Sequence, residues 1–125
     1  VVSCFSSGWW WIGNVGDSRA YRLRDGQFEQ ITTDHNHGHT ILTRWIPMEK
    51  YTKPDQFGGE LLAGDIFLLC SDGLTKAFSD DVIQKELMSV SDSVESLQSC
   101  ITKLVEEAAA TPGSDNTTAW LIKKL

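Results

Sequence analysis

The sequence is poor in the residues that mark several classes of protein. Among its 125 residues there are only 3 cysteines, 3 prolines and 11 lysines and arginines, against 17 aspartates and glutamates. The resulting net charge of −6 argues against a nucleic-acid surface, which needs clustered basic side chains. The acidic residues are spread along the chain and form no tail, so they indicate ordinary solvation.

Long hydrophobic runs are also missing. The longest ones, such as Ile66 to Cys70, are far shorter than the ~20 residues of a membrane span, and no signal segment opens the chain. Cys4, Cys70 and Cys100 are odd in number and form no C-x-x-C pair, which predicts buried reduced thiols. We therefore expect a cytoplasmic protein that binds neither membrane nor nucleic acid.

The start of the chain is unusual for a natural terminus. There is no initiator Met, and the chain opens in the apolar stretch Val1 to Phe5, whereas termini are more often polar and loosely held. No repeat, linker or low-complexity tract divides the chain. The sequence thus predicts that residues 1–125 are a single partial domain, cut inside a larger folded unit.

Two apolar runs predict strands that are covered on both faces, Trp9 to Ile12 and Ile66 to Cys70. Successive residues of a strand point to opposite faces. We therefore expect Trp10 and Trp11 to face opposite ways and to be largely buried. A further strand is predicted at Glu60 to Leu62.

A hairpin is predicted over Ala20 to Thr32. Its turn is the dipeptide Asp25-Gly26, which supplies the positive φ angles of a two-residue loop. In that register Leu23 lies opposite Phe28, a favourable apolar pair.

The last third of the chain has helical patterns. Ser79 caps a helix that runs to about Met88, and Asp92 with Glu95 resembles the capping box of a longer helix. Thr117 to Lys124 returns as a strand. Strands followed by helices and a closing strand predict an α+β architecture.

Three aspartates lie where a site is usually built, at the ends of buried strands and beside Gly or Ser. They are Asp17, Asp72 and Asp115. Clustered carboxylates repel one another without a counter-charge, so they favour a hard cation such as Mg²⁺ or Mn²⁺. The alternative is that each aspartate only closes a turn by bonding its own backbone.

Three blocks of sequence, in this order, carry a resemblance to a known family. They are Ile12 to Tyr21 followed by Arg24-Asp25-Gly26 and Thr33-Asp34-His35; Leu62 to Thr75; and Ser114 to Thr118. Together they resemble the C-terminal half of a metal-dependent serine/threonine protein phosphatase of the 2C-like (PPM) family, in its bacterial form. The resemblance implies an α+β fold that is part of a four-layer sandwich, with two antiparallel β-sheets flanked by helices.

The resemblance also implies roles for single residues. Asp72 and Asp115 match ligands of one of the family's two catalytic Mn²⁺ or Mg²⁺ ions, and Asp17 matches an acidic residue of an additional, weaker metal site. No residue of this chain is assigned a catalytic role. The positions expected to support the motifs are Gly16, Ser18, Arg19, Asp34, His35, Gly73 and Asn116.

The family's activity is hydrolysis of phosphoserine and phosphothreonine in proteins by a metal-activated water. Its earlier motifs, which supply a phosphate-binding Arg, a bridging carboxylate and a His, have no counterpart here. The segment between Asp34-His35 and Leu42-Thr43-Arg44 is also short, which predicts a reduced substrate flap. The chain alone is therefore expected to be weakly active or inactive, and the alternative function is a pseudophosphatase or interaction module.

The expected partners are a phosphoprotein substrate and either the N-terminal remainder of the domain or a second copy, through exposed strands. A third function is left open by His35, His37 and His39, whose H-x-H-x-H spacing could bind Zn²⁺ on one face of a strand. The Asn-His-Gly sequence at its centre instead favours a solvated loop.

Overall fold

The computed structural model describes residues 1–37, 41–45 and 52–125. The elements within those ranges are strands β1 (Val2–Ser6), β2 (Trp9–Asn14), β3 (Arg19–Arg24), β4 (Gln27–Gln30), β5 (Asn36–His37), β6 (Ile41–Leu42), β7 (Asp55–Glu60), β8 (Ile66–Cys70) and β9 (Ala119–Lys123), and helices α1 (Asp72–Ala77), α2 (Asp80–Met88) and α3 (Val94–Ala110).

The strands form two main antiparallel sheets, one in the order β1-β2-β7 and one in the order β4-β3-β8-β9. One apolar core lies between the sheets and contains Trp10, Ile12, Ala20, Phe67 and Leu69. A second core joins the four-stranded sheet to the three helices. The predicted α+β class, with two antiparallel sheets and packed helices, is confirmed. None of the described helices is long and apolar enough to cross a bilayer.

Strand β8 is buried along its whole length, as its unbroken apolar run predicts. Phe67 and Leu69 belong to the core between the sheets, and the alternating residues Ile66, Leu68 and Cys70 belong to the core under the helices. Burial raises the pKa of the Cys70 thiol to about 12, so this cysteine is an unreactive core residue.

The predicted hairpin is confirmed. Strands β3 and β4 pair with Leu23 opposite Phe28. The turn residues Asp25 and Gly26 have φ angles of 50° and 76°, as a two-residue loop of this type requires.

The prediction that both central tryptophans are buried is wrong for one of them. Trp10 and Trp11 do face opposite ways, but Trp10 is 6% exposed and Trp11 is 38% exposed. No described element packs on the outer face of the three-stranded sheet, so Trp9 and Trp11 contact solvent. Cys4, which pairs with Trp11 across the strands, is exposed as well, contrary to the expectation for this thiol.

Three boundaries also differ from the sequence prediction. The strand expected at Glu60 to Leu62 is the end of β7, which lies in the other sheet from β8. Helix α3 begins at Val94 and its cap is Ser93, which accepts a hydrogen bond from the Ser96 N–H at 3.1 Å. Asp92 instead forms an ion pair with Lys123 at 2.6 Å.

The passage between the two sheets is fixed by a buried ion pair. The Asp65 side chain has no exposed surface, and Arg24 donates to both of its oxygens at 2.6 and 2.5 Å. The Leu62 N–H also donates to Asp65, at 2.9 Å. Burial alone would raise the pKa of Asp65, but these hydrogen bonds outweigh it and the pKa lies below its usual value.

We expect Asp65→Asn to lower the free energy of unfolding by about 2–4 kcal/mol, because it leaves a partly buried guanidinium without its counter-charge. The matched control is Glu29→Gln, because the Glu29 carboxylate is 49% exposed in its ion pair with Arg22, and it should cost less than about 1 kcal/mol. Urea denaturation measures both.

The pH dependence gives a second check on the same pair. Because the folded-state pKa of Asp65 is depressed, its stabilisation is present above the unfolded pKa of about 4 and is lost as pH falls through the folded value. The difference between wild type and Asp65→Asn should therefore shrink below about pH 4. A difference that stays constant down to pH 2 would contradict this assignment.

Candidate functional site

Strand register brings three loops to one end of the four-stranded sheet. Arg19 pairs with Cys70, and Cys70 also pairs with Ala119. The loops that carry Asp17, Asp72 and Asp115 therefore meet at this end. A cavity of about 210 Å³ opens there, lined by Asp17, Arg19, Asp34, Asn36, Asp72, Thr75 and Lys76.

Asp72 and Asp115 converge on one ammonium group. Lys76 lies four residues after Asp72 on helix α1, and its Nζ is 2.6 Å from Asp72 Oδ2 and 2.8 Å from Asp115 Oδ2. Because both oxygens are within hydrogen-bond distance of the same Nζ, they can be no further apart than the sum of these two distances. The predicted convergence is thus present, while the metal-binding role of the two residues stays a prediction.

The charges of this trio support one another. The hydrogen bonds to Asp115 and then to Asp72 raise the pKa of Lys76. The Lys76 ammonium, followed by the Asn116 N–H, which donates to Asp115 Oδ1 at 2.8 Å, holds the pKa of Asp115 below its usual value. The lysine is therefore a permanent cation between two carboxylates at neutral pH.

The loop that carries Asp115 is held against the end of β8 by Ser71. The Ser71 hydroxyl donates to the Asn116 carbonyl at 3.1 Å and accepts from the Thr118 N–H at 3.0 Å. Gly73 lets the loop approach, since a Cβ at this position would lie 2.5 Å from the Asn116 carbonyl oxygen. The position of Asp115 thus depends on a hydroxyl and on a missing side chain.

Arg19 and Asp34 brace the other wall of the cavity. The Arg19 guanidinium donates to both oxygens of Asp34, at 2.8 to 3.1 Å, and to the Tyr21 hydroxyl at 2.9 Å. The Tyr21 hydroxyl in turn donates to Asp80 at the start of α2, at 3.0 Å. This chain of contacts connects β3 to helix α2 and fixes the side of the cavity opposite the Asp72 helix.

His35 holds the Asp17 loop and does not face the cavity. Its ring is buried, and Nδ1 accepts the Gly16 N–H at 3.1 Å. Its Nε2 lies 2.8 Å from Asp55 Oδ2 and 2.9 Å from Arg44 Nη1. The hydrogen bonds from His35 and then from Arg44 hold the pKa of Asp55 below its usual value. His35 thus has a structural role.

The three-histidine zinc site gains no support from this arrangement. Both ring nitrogens of His35 are engaged within the protein. His39 and part of the short flap segment, 38–40, lie outside the described residues. In the ranges that the structure describes, no group of three or more His, Cys, Asp or Glu side chains is arranged to hold a metal ion.

Asp17 does not form one metal-binding group with the other two predicted ligands, Asp72 and Asp115. Asp17 lines the cavity that Asp72 lines, but the three carboxylates do not form one ligand set. Ser18 lines a different pocket, beside Ser71 and Trp120. The residues present therefore fit a divalent ion only in part: two carboxylates supply the right oxygens, and an ammonium lies between them.

Three residues that shape the site are absent from the sequence prediction. Lys76 and Ser71 were not singled out, and neither was Asp55, which orients His35. The spacing of Asp72 and Lys76 is the i, i+4 pattern of a helical ion pair, but it becomes visible only when residues 72–77 are recognised as a helix. Ser71 and Asp55 have no signal in sequence, because their partners are 47 and 20 residues away.

Fold and site together define a class of protein. The structure has the features that the sequence motifs implied. It has two stacked antiparallel sheets, helices on one side, and aspartates near the end of strand β8. The chain belongs to the protein phosphatase 2C family, whose model matches residues 1–121. This confirms the resemblance seen in the three motifs.

Its relatives are bacterial serine/threonine phosphatases. The chain is 35% identical over 123 residues to the serine/threonine protein phosphatase PstP of Mycobacterium tuberculosis, covering 84% of this chain and 23% of that protein. The structure of PppA from Pseudomonas aeruginosa matches with a TM-score of 0.82 at 29% identity. A catalytic domain of PstP in complex with two manganese ions matches with a TM-score of 0.76 at 30% identity.

The matches extend over only part of each relative. The match to the PppA structure covers 98% of this chain and 55% of the PppA chain. The match to the PstP structure covers 97% of this chain and 57% of the PstP chain. The chain thus spans about half of the structures it matches and less than a quarter of full-length PstP.

We expect Gly73→Ala to displace the 114–118 loop and to lower the free energy of unfolding by about 1–3 kcal/mol. Alanine is the better helix former by up to about 1 kcal/mol, but its Cβ would overlap a backbone carbonyl that cannot rotate away. Urea denaturation measures the cost, and amide NMR shifts of Asp115 and Asn116 report the displacement.

The control for this variant is Thr75→Ala, in the same short helix, which removes one hydroxyl bonded to the Asp72 carbonyl at 3.2 Å. It should leave the 114–118 amide shifts in place. Unchanged shifts in Gly73→Ala as well would show that the loop does not depend on the close approach.

Proposed function

We propose that this chain is the C-terminal half of a metal-dependent protein phosphatase domain that removes phosphate from phosphoserine and phosphothreonine in proteins. The observation that carries the proposal is the meeting of Asp72 and Asp115 at the carboxyl end of β8. The family membership and the manganese-bound PstP structure support it. The cofactor proposed is Mn²⁺ or Mg²⁺, with two ions in the complete site.

The proposal gives a role to the site residues described above. Asp72 and Asp115 would each give one carboxylate oxygen to one ion, and Asp17 would lie beside a further, weaker site. Arg19 and Asp34, paired with each other, would brace one wall of the cavity. When bound, the metal supplies an acidified water as nucleophile and neutralises charge that develops on phosphate.

The proposal assigns the rest of the chemistry to residues beyond this chain. We infer that residues 1–125 are one partial domain, because they span about half of the matched structures and two carboxylates leave most of a hexacoordinate ion to other ligands. An N-terminal half would add those ligands and the phosphate-binding side chain. The absence of a spanning helix among described residues fits the cytoplasmic location that we propose.

A second function is favoured by one observation. The ammonium of Lys76 already pairs with both carboxylates that a metal would need. A pseudophosphatase that keeps the fold and binds partners without turnover would have such an arrangement. The two functions differ in whether Mn²⁺ binding and turnover depend on Asp72.

The activity test uses this chain with Mn²⁺ and a phosphopeptide, with and without the N-terminal half of a related phosphatase domain. We expect turnover by the chain alone to be at least ~10³-fold below that of the reconstituted pair, because the missing groups each contribute by orders of magnitude. Release of inorganic phosphate is the measurement.

Asp72→Asn is the variant that assigns the activity to the site. Its matched control is Asp92→Asn, which changes an exposed carboxylate paired with Lys123 away from the cavity. Asp72→Asn should abolish turnover by the pair, and Asp92→Asn should leave it intact. Mn²⁺-dependent turnover by this chain alone that survives Asp72→Asn would overturn the proposal. A reconstituted pair whose two halves associate stably but release no phosphate would favour the pseudophosphatase.

The outer face of the three-stranded sheet generates a prediction about association. Val2, Trp9 and Trp11 are 57%, 61% and 38% exposed on or beside that face, and β1 is an edge strand. Exposed apolar faces and open edges promote pairing with another chain. We expect the isolated chain to self-associate at high concentration and the N-terminal half to suppress this.

Sedimentation velocity measures the association. Trp11→Thr should reduce it, whereas Trp45→Thr, which removes a tryptophan that is 44% exposed and outside that sheet, should not. Equal association of the two variants would show that another surface is responsible.

A further inference from the structure

Lys76 occupies the point at which the two proposed metal ligands meet. Its Nζ is within hydrogen-bond distance of Asp72 Oδ2 and Asp115 Oδ2, at 2.6 and 2.8 Å. These are the lengths of charge-assisted hydrogen bonds. The ammonium thus stands where a bound cation would stand, and it belongs to the protein itself.

The position of the Lys76 ammonium beside Asp72 follows from the geometry of helix α1. Residues four apart lie on the same face of a helix, and an acid four positions before a lysine is the favourable order for an ion pair. Asp72 is the first residue of α1 and Lys76 is its fifth. The lysine therefore reaches back over the first turn without rearrangement of the backbone.

The lysine also binds Asp115 Oδ2, which is not the oxygen that accepts the Asn116 N–H. Asp115 Oδ1 accepts the Asn116 N–H at 2.8 Å, so Oδ2 is the less engaged of its two oxygens. A divalent ion held between Asp72 and Asp115 would lie close to the Lys76 ammonium, so the two cations would compete for the same pair of carboxylates. They cannot hold both at once, since two cations at one point repel each other.

We propose that Lys76 is a tethered internal cation that competes with Mn²⁺ or Mg²⁺ for Asp72 and Asp115, so that the metal binds this pair only when the lysine swings out. The inference rests on the proposed function, because it takes the two aspartates as the metal ligands. It adds a regulatory element: the affinity of the site for metal is set by a side chain of the same helix.

The side chain has the freedom that this exchange needs. Lys76 is 53% exposed, and its long stem can turn into solvent at the cost of two surface hydrogen bonds. A divalent ion that replaces it would match the two negative charges fully, whereas a single ammonium leaves one uncompensated. A substitution at position 76 should therefore change the affinity of this carboxylate pair for the metal.

The test compares the binding of Mn²⁺ to the 125-residue chain in wild type and in Lys76→Met. The EPR signal of free Mn²⁺ measures the binding. We expect the Kd of Lys76→Met to be lower by roughly tenfold or more, because the competitor is removed and the carboxylate pair is left with two charges. Mn²⁺ should also raise the Tm of Lys76→Met more than that of wild type. Lys76→Arg keeps the charge and should bind Mn²⁺ as weakly as wild type.

Lys103→Met is the matched control, because Lys103 is a half-exposed lysine paired with Glu86 at 2.8 Å on another helix. It removes the same charge from the chain and should leave the Kd for Mn²⁺ unchanged. Circular dichroism shows whether each variant keeps the fold.

Three outcomes separate this inference from the function on which it rests. A lower Kd in Lys76→Met that is lost again in Asp72→Asn/Lys76→Met supports both. Equal Kd values for wild type and Lys76→Met, with binding abolished by Asp72→Asn, overturn the competition while the metal site stands. Binding to Lys76→Met that is indifferent to Asp72→Asn overturns both, since the ion would then lie elsewhere.

Discussion

Strand β8 lies between two apolar layers, and the positions of both the core and the site follow from its burial. Phe67 and Leu69 point into the core between the sheets, and Ile66, Leu68 and Cys70 point under the helices. Fully burying a large apolar side chain contributes roughly 1.5–3 kcal/mol. A shift of one residue would exchange the two faces, so the register of β8 with its neighbours is strongly specified.

Because the register is fixed, so are the two ends of the strand. Before β8, the buried Asp65 ties the crossing between the sheets to Arg24 of the hairpin. After β8, Ser71 holds the 114–118 loop and α1 begins at Asp72. The aspartates of the site therefore meet because a buried strand delivers them, and the contacts among the loops then set their final separation.

The features that could be predicted from sequence are those that depend on neighbouring residues or on long apolar runs. The burial of β8 and the Asp25-Gly26 hairpin are of this kind, because periodicity and turn chemistry are local. The exposure of Trp11 could not be predicted, since it depends on what covers a face and not on the strand itself. Lys76 was missed because α1 spans only 72–77, too short to show a helical repeat, and because Asp115 is far away in the chain.

Charge balance accounts for how the carboxylates of this half of a site can lie close together. Two carboxylates directed at one point repel each other, and that repulsion would oppose the packing of the 114–118 loop against β8. In the part of the chain that the structure describes, four acidic side chains at or beside the site have a basic partner: Arg19 for Asp34, Arg44 for Asp55, and Lys76 for Asp72 and Asp115. Asp17 differs, since its carboxylate has no ion pair or hydrogen bond within those residues. Such pairing offsets the repulsion between the carboxylates, so the loops can pack in the arrangement that our proposal requires.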